Sequence, residues 1–493
     1  MSLVEKSAVE LRELIRNKDV SPVELMAACI DRIETLNPHI NAVTAKDFGR
    51  AKLAAQKAET MVMQQTDLPL LHGLPMGVKD LQETQGLLTT YGNVGLRGHV
   101  PKADNSYVAK LKQAGAIVTA KTNVPDMGAG ANSRNPVWGA TGNPFNPALN
   151  AGGSSGGSAA ALAVDMFPIC TGSDTGGSLR IPSALCGIVG IRPSPGLIAN
   201  DTRSLGWSAI SVLGPMARSV DDMALMMAAS LGAHSMDPIS YDVDPAPFWP
   251  LPEVDVSQLR IAYTEDFDLC FVDANIREVF RNRIEAIRPL AKRCEPIQFD
   301  VTHAHRTFDV LRAESFFAAF GDPVKNPPDT LGPNVLANLA IAEKISLGDR
   351  AMAHLAQTQL MRQFAKKFED FDLIIAPNTP LSPFPWTELY AKEVDGHTMS
   401  NYYHWLELTY VVTLATNPAL ALPCGVDQQG MPFGLQLIGG LRQDAKLLAM
   451  SHALEMALAR DAKTSRPKPN ILSLKASQVN LTGIVTHPPI LSH

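Results

Sequence analysis

The sequence has no excess of basic charge and no long uninterrupted apolar run. Its 43 Lys and Arg residues stand against 49 Asp and Glu residues, which gives a net charge of −6. Because nucleic-acid phosphates are bound by basic surfaces, we expect no nucleic-acid partner. Charged Glu5, Lys6 and Glu10 interrupt the N-terminal apolar residues, and the stretch 405–424 contains Glu407 and two prolines. We therefore expect no signal peptide, no membrane anchor and no membrane-spanning helix in these stretches.

The cysteines and histidines show no spacing typical of a metal site or a disulfide framework. The six cysteines are scattered singly, which favours buried free thiols in a reducing cytoplasm. His303 and His305 have no acidic or thiol partner at metal-ligand spacing, and we interpret both as surface residues. The segment GAGANS (128–133) lacks the final glycine of a dinucleotide loop. We expect neither a metal nor a cofactor.

Helical and strand patterns alternate along the chain. Ser21, Pro22 and Glu24 have the order of an N-cap, a first helical residue and a capping-box acid, so they predict a helix start. The alternation predicts an α/β protein with a mixed sheet covered by helices. Strands are predicted at 116–121, 188–192, 259–263, 372–377 and 433–439, and helices at 7–15, 25–36, 154–165, 219–231, 274–293 and 349–369.

The chain is long enough for a large core. It has 493 residues, of which 45% are hydrophobic, and it shows no internal repeat and no clear linker. We predict one large domain over residues 1–462. The Pro- and Ser-containing stretch 463–493 departs from the compact pattern and is predicted to be an extended tail on the surface.

Two Gly/Ser clusters within residues 152–182 form the most informative segment. The first reads GGSSGGSAAALA (152–163) and the second reads TGSDTGGSLRIP (171–182). Glycines let backbone N–H groups come close to a reacting atom, and the serines supply hydroxyls. A flexible linker would lack the apolar run AAALAVDMF between the clusters. We predict that this segment holds a nucleophile and an anion cradle.

A shorter motif within the first cluster offers an alternative nucleophile. Ser155 is the centre of a G-x-S-x-G sequence (153–157), the pattern of the α/β-hydrolase nucleophile elbow. That elbow follows a strand, and residues 148–153 do not resemble one. Because a five-residue match is weak in a Gly-rich run, we prefer the longer pattern. No histidine lies in either cluster to act as the usual base.

The clusters, together with Lys79 in GLPMGVKDL (73–81), resemble the amidase signature family. The resemblance extends from about residue 11 to about residue 454, with a signature core of about 70–230. It implies a single α/β amidase fold, in which helices cover both faces of a central mixed, twisted sheet. Further segments that resemble the family are 121–147, 214–226, 417–425 and 432–439.

The resemblance also implies the catalytic roles. Carried over by motif, Lys79 is the base, Ser154 relays the proton and Ser178 is the acylated nucleophile. A lysine with its ordinary pKa of about 10.4 could not accept a proton at neutral pH, so burial has to lower the pKa of Lys79.

The loops around these residues have implied roles as well. The family holds its relay serine on a cis peptide, which here is Gly153–Ser154. Gly153, Ser173, Asp174 and Arg180 are expected to shape the loops, with Asp174 and Arg180 as an ion pair. Backbone N–H groups form the implied oxyanion hole, contributed by Thr175, Gly176, Gly177 and Ser178.

Departures from the family pattern bear on the substrate. Residues 124–135 read VPDMGAGANSRN where many members have M-x-E-F-x-M-G-x-S-T-E-N, and Ile181 stands where the glutamyl-tRNA amidotransferase A subunit usually has Gln. These changes favour a stand-alone amidase over the amidotransferase subunit. Together with the aromatic loops described below, they predict a small hydrophobic or aryl amide as substrate, and carbamates and esters share its tetrahedral oxyanion. The alternative is the glutamyl-tRNA(Gln) amidotransferase A subunit, which works in a multi-protein assembly. Met127 and Ile181 are the predicted substrate contacts.

Loops far from the signature are expected to line the substrate pocket. The stretches 300–335 and 378–410 are rich in aromatic residues, which favours a hydrophobic substrate, although core packing explains them nearly as well. The sequence leaves the acyl and leaving groups open, as well as the choice between monomer and homodimer. The aromatic candidates are Phe308, Phe316, Phe317, Phe320, Trp386, Tyr402, Tyr403 and Trp405.

Overall fold

An eleven-stranded mixed sheet forms the centre of the computed structural model, which describes residues 2–64 and 67–491. Across this sheet the strand order is β1-β3-β2-β4-β6-β5-β10-β11-β9-β7-β8 in the numbering below. Its strands are β1 (Val43–Lys46), β2 (Pro75–Lys79), β3 (Ile117–Thr122), β4 (Ile169–Asp174), β5 (Val189–Arg192), β6 (Val212–Ala217), β7 (Arg260–Tyr263), β8 (Arg293–Pro296), β9 (Leu373–Pro377), β10 (Ala419–Val426) and β11 (Pro432–Ile438).

Helices flank the sheet, which confirms the predicted α/β class and the single large domain. The predicted start of the second helix is confirmed, since Ser21 Oγ accepts from Val23 N and Ser21 N donates to Glu24. The helices are α1 (Ala8–Arg16), α2 (Pro22–Ile40), α3 (Phe48–Gln64), α4 (Ser106–Gln113), α5 (Gly156–Ala163), α6 (Arg180–Cys186), α7 (Val220–Ala228), α8 (Ala274–Ile287), α9 (Ala304–Phe320), α10 (Pro333–Ala342), α11 (Leu347–Asp370), α12 (Glu407–Ala415), α13 (Asp444–Leu458) and α14 (Ile471–Lys475).

Strand prediction succeeded where the apolar pattern is plain and missed strands that contain glycine, proline or polar residues. The five predicted strands correspond to β3, β5, β7, β9 and β11, and no strand end differs from its prediction by more than one residue. Strands β2 (PMGVK), β4 (ICTGSD), β6 (VLGPMA) and β10 (ALALPCGV) were missed because their composition has low strand propensity. The predicted helix 274–293 ends at Ile287, and a turn containing Pro289 leads into β8.

The topology brings the two predicted site segments to one edge of the sheet. Strands β2 and β4 are parallel neighbours, so their carboxyl ends lie at the same edge. Lys79 is the last residue of β2 and Asp174 is the last residue of β4. Helix α5 begins just after Ser154, and α6 begins two residues after Ser178. The site is therefore built where these strands end and these helices begin.

The C-terminal residues run along the body of the protein and contain the short helix α14. Leu474 and Leu481 are buried, and the Leu481 carbonyl accepts a hydrogen bond from Ala140 N at 2.8 Å. Farther along, Ile490 N donates to the carbonyl of Arg97. The boundary at residue 462 stays a prediction.

The cysteines are buried as predicted, whereas the two histidines of the H-x-H pair differ in exposure. All six cysteines are buried free thiols. His303 is exposed as predicted, but the prediction was wrong for His305, which is partly buried and contacts Tyr410 Oη at 2.5 Å. Across residues 2–64 and 67–491, no group of three or more His, Cys, Asp and Glu is placed to hold a metal ion. Nor is any helix in these ranges both long and apolar enough to cross a bilayer.

Candidate active site

The side-chain nitrogen of Lys79 lies in a buried cluster of serine hydroxyls. Its Nζ is 2.7 Å from Ser154 Oγ, 2.8 Å from Ser155 Oγ and 2.9 Å from Ser173 Oγ. The side chain is fully buried, and this desolvation lowers the pKa of Lys79 well below its ordinary value, although the charge of Asp174 opposes the shift. A buried amine with a lowered pKa can be neutral near neutral pH, and only then can it accept a proton from a hydroxyl.

Ser154 and Ser178 line the same cavity, which has a volume of about 230 Å³. Ser154 follows the cis peptide Gly153–Ser154 and is buried, with 3% of its surface exposed. Ser178 is only half-buried. The backbone N–H of Ser155 donates to the Ser178 carbonyl at 3.2 Å, which ties the two Gly/Ser clusters together. The partly exposed hydroxyl of Ser178 is suited to attack on a substrate. The buried hydroxyl of Ser154, beside the amine of Lys79, is suited to proton relay.

Asp174 organises the second cluster through a buried ion-pair network. Its carboxylate accepts from Arg180 Nε at 3.1 Å and Nη2 at 3.0 Å, and Arg192 Nη1 lies 3.4 Å away. It also accepts from the backbone N–H groups of Gly177 and Leu179. Burial alone would raise the pKa of Asp174, but the two guanidinium groups hold it well below its usual range. The carboxylate thus stays charged and fixes the loop that contains Ser178.

The same network occupies one of the four backbone N–H groups that are predicted to form an oxyanion hole. The N–H of Gly177 donates to Asp174 Oδ1 at 2.8 Å, so this donor is already used within the protein. The N–H groups of Thr175, Gly176 and Ser178 have no acceptor among the described residues. The loop is also held from helix α12, because Thr409 Oγ1 donates to the Gly176 carbonyl at 2.7 Å. Three of the four predicted donors are therefore free of an internal acceptor in the described part of the chain, and the oxyanion hole stays a prediction.

A model of the amidase family matches residues 24–448. The chain belongs to the amidase signature family. It is 31% identical over 480 residues to the A subunit of the glutamyl-tRNA(Gln) amidotransferase of Roseiflexus castenholzii, and the match covers 92% of this chain and 96% of the relative.

Solved structures of this family share the fold over nearly the whole chain. A bacterial aryl acylamidase of the amidase signature family superposes with a TM-score of 0.85 at 26% identity, covering 92% of this chain and 96% of the other. The 6-aminohexanoate cyclic dimer hydrolase superposes with a TM-score of 0.80 at 25% identity, covering 96% and 100%. The chain is therefore similar to proteins named as an acylamidase and a hydrolase, and also to a protein named as a subunit of an amidotransferase.

The two residues predicted to contact substrate differ in their placement. Met127 lies in the wall of the cavity. Ile181 does not line it: the side chain is 1% exposed and packs beneath Gly177, where a methyl group would come within 2.6 Å of Ile181 Cδ1. Ile181 thus supports the loop from below, and its placement does not favour a direct substrate contact.

Of the aromatic candidates, Phe316 and Phe320 on α9 line the cavity. Phe308 is fully buried behind Gly176, where an added Cβ would come within 2.8 Å of its ring. Two of the eight aromatic candidates therefore line the cavity, because most of the others are buried in the protein interior. Buried away from the cavity wall are Trp386, Tyr402, Tyr403 and Trp405, and Phe317 is exposed.

The placement of Ser155 does not favour the elbow alternative, although one argument against that alternative was wrong. A short strand, Asn146–Asn150, does precede the first cluster, contrary to expectation. Ser155, however, is fully buried, does not line the cavity and lies 2.8 Å from Lys79 Nζ. Ser155 is therefore a buried hydrogen-bond partner of Lys79 and not an exposed hydroxyl.

Sequence reasoning missed several residues that hold this site. Gln82 bridges the end of β2 to β4, donating to the Gly172 carbonyl at 3.0 Å and accepting from Thr171 Oγ1 at 2.5 Å. Arg192 is the second partner of Asp174. An arginine at the end of the apolar run IVGIR could have predicted a buried ion pair. Thr409 lies 233 residues from Gly176 and had no local signal.

Proposed function

We propose that this protein is a serine hydrolase that cleaves the C–N bond of a small amide through an acyl-enzyme on Ser178. One observation carries the proposal: the buried amine of Lys79, its pKa lowered by burial, lies 2.7 Å from Ser154, which shares a cavity with Ser178. No metal or cofactor is needed, because the base, relay and nucleophile are all side chains of this chain.

The proposed reaction proceeds in two halves. Ser178 Oγ attacks the amide carbonyl carbon while its proton passes through Ser154 to the neutral amine of Lys79. The carbonyl oxygen becomes an oxyanion, and N–H groups of Thr175, Gly176 and Ser178 donate to it. The C–N bond then breaks, and the leaving amine takes the proton back from Lys79 by way of the relay. A water molecule attacks the ester on Ser178 by the same route and releases the acid.

The cavity supports a small substrate with an apolar part. Phe316, Phe320, Leu81 and Met127 lie in its wall and offer apolar contact. Carbamates and esters pass through a similar tetrahedral oxyanion, so we propose them as further substrates. Six buried free thiols suit a reducing compartment, which supports a cytoplasmic location.

One of the relatives supports a second candidate function. The relative at 31% identity is named as the A subunit of glutamyl-tRNA(Gln) amidotransferase, so we keep the alternative that this chain is a catalytic subunit that works beside partner proteins. The two candidates use the same residues for amide cleavage. They differ in the acyl donor, which would be glutamine in the second, and in the need for a partner.

Purification of the chain alone separates the candidates. The purified protein is assayed with simple aryl amides and with glutamine, and Ser178→Ala serves as the inactive control. We expect aryl amide turnover by the isolated chain and none by the variant. Turnover of glutamine only, or only after a partner is added, would support the amidotransferase candidate instead.

A further inference from the structure

The wall of the cavity shared by Ser154 and Ser178 contains basic side chains but, among the described residues, no acidic ones. Arg203 and Arg312 both line it, and among the described residues no Asp or Glu does. The lowered pKa of Lys79 favours its neutral amine, and a neutral amine does not attract an anion. A buried cationic wall favours a ligand with a negative group, because an unpaired charge away from water is costly.

The two arginines differ in how their charge is met. Arg203 lies 3.6 Å from a carboxylate oxygen of Asp237 and donates to the carbonyls of Gly206 and Ser208. Arg312 has no carboxylate oxygen within 4 Å among the described residues, although it is only 5% exposed. Its Nη2 donates to the neutral hydroxyl of Tyr402 at 2.6 Å, and its Nε has no acceptor in the described part of the chain. Arg312 is therefore the cation of this wall that lacks a counterion.

The surroundings of Arg312 hold the guanidinium in place without neutralising it. Its Cζ lies 4.6 Å from the ring centre of Phe316, 5.2 Å from that of Tyr403 and 5.4 Å from that of Tyr402. Ring faces attract a cation but leave its N–H donors at the edge of the plane unpaired. The Nε is buried and Nη2 donates to Tyr402, so Nη1 is the nitrogen of this fixed guanidinium that remains to donate to a carboxylate.

We propose that Arg312 binds a carboxylate group of the substrate, so that the preferred substrates are small amides bearing an anionic group. This inference rests on the proposed amide hydrolysis at Ser178 and adds a substrate class to it. The apolar body of such a substrate contacts Phe316 and Phe320, and its carboxylate replaces the missing counterion.

Matched pairs of substrates test the proposal. One pair places the carboxylate in the acyl part, as succinyl 4-nitroanilide against neutral butyryl 4-nitroanilide. The other places it in the leaving amine, as 4-acetamidobenzoate against 4-acetamidobenzamide. We expect kcat/KM to be at least about 10-fold higher for the charged member of one pair. Equal kcat/KM values within both pairs would overturn the proposal.

Substitution of Arg312 connects any preference to this residue. Arg312→Met is expected to lower kcat/KM for the preferred charged substrate about 10- to 100-fold, mainly by raising KM. For the neutral member of the same pair, kcat/KM is expected to change less than about 3-fold. Arg281→Met is the matched control, because Arg281 is an exposed arginine paired with Glu265 and does not line the cavity. An equal loss on both members of the pair would mean that Arg312 supports only the fold.

Two further measurements keep the outcomes separate. If Arg312→Met does not fold, Arg312→Lys tests the same point, because a lysine keeps the charge but loses the planar, fixed donors of the guanidinium and should lose most of the preference. If the wild-type chain turns over none of the four amides and a sulfonyl fluoride does not label Ser178, the proposed function itself fails. Turnover without discrimination leaves the amidase proposal standing and removes the role of Arg312.

Discussion

Replacement of Asp174 by Asn tests whether one buried carboxylate holds both the fold and the anion cradle. Asp174 lies between two fully buried guanidinium groups, those of Arg180 and Arg192. The substitution Asp174→Asn keeps the size of the side chain but removes its charge, leaving two buried cations without their counterion. Breaking a buried ion pair in this way costs about 3–5 kcal/mol of unfolding free energy. That is a large part of the roughly 5–15 kcal/mol available to a typical protein.

The same substitution should impair catalysis. The Asn side chain has one carbonyl oxygen to accept hydrogen bonds where the carboxylate accepts from Gly177, Leu179 and Arg180 with two oxygens. At least two of the donors then face the amide NH2 group instead of an oxygen, so the loop that contains Ser178 must shift. A displacement of about 1 Å at a reacting group lowers the rate about 100-fold, and we expect a loss of kcat of that order.

Urea unfolding and steady-state kinetics of Asp174→Asn measure the two effects, once refolding is shown to restore activity. Asp372→Asn is the matched control, since Asp372 pairs with the exposed side chains of Arg260 and Lys446. Exposed pairs contribute little because water screens them, so the control should lose much less stability. A loss for Asp174→Asn no larger than that of the control would refute the argument.

The pH dependence of this difference has a defined sign. Because the folded-state pKa of Asp174 lies below its usual range, folding favours the charged carboxylate. Its contribution is fully present above the unfolded pKa of about 3.9 and is lost as pH falls toward the folded pKa. The gap in unfolding free energy between wild type and Asp174→Asn should therefore be constant from about pH 5 to pH 8 and narrow below about pH 4.

Three further predictions concern the reaction itself. Since only the neutral amine of Lys79 accepts a proton, kcat/KM should rise with pH through its lowered pKa, and Lys79→Ala should abolish that rise; an unchanged pH profile in the variant would remove Lys79 from the mechanism. A sulfonyl fluoride should label Ser178 in peptide mapping, because the reagent needs an activated hydroxyl and an anion cradle, whereas labelling at Ser155 would support the elbow alternative. Thr409→Val removes the hydrogen bond to the Gly176 carbonyl and should lower kcat about 10-fold with little change in KM; full activity would show that this bond does not position the loop.

Sequence reasoning performed best on features that are local in the chain. The capped start of α2 at Ser21 and the five apolar strands follow from spacing and composition over a few residues, and the structure contains them. The Gly/Ser clusters marked the site because several glycines and serines within one short segment suit an anion cradle. Strand β2, which ends at Lys79, was missed because its glycine and lysine weaken the strand pattern.

The amino-acid sequence by itself determined the fold class and the residue types of the site, because periodicity, capping and glycine density act between near neighbours. Only the tertiary structure decided which groups meet. Parallel pairing of β2 with β4 brings Lys79 to Ser154, 75 residues away, and the packing of α12 brings Thr409 to Gly176. The structure also shows that Asp174 accepts a hydrogen bond from the N–H of Gly177. It places Arg312 in the cavity wall with no counterion among the described residues. Such pairings depend on strand order and helix packing across hundreds of residues, which no local pattern encodes.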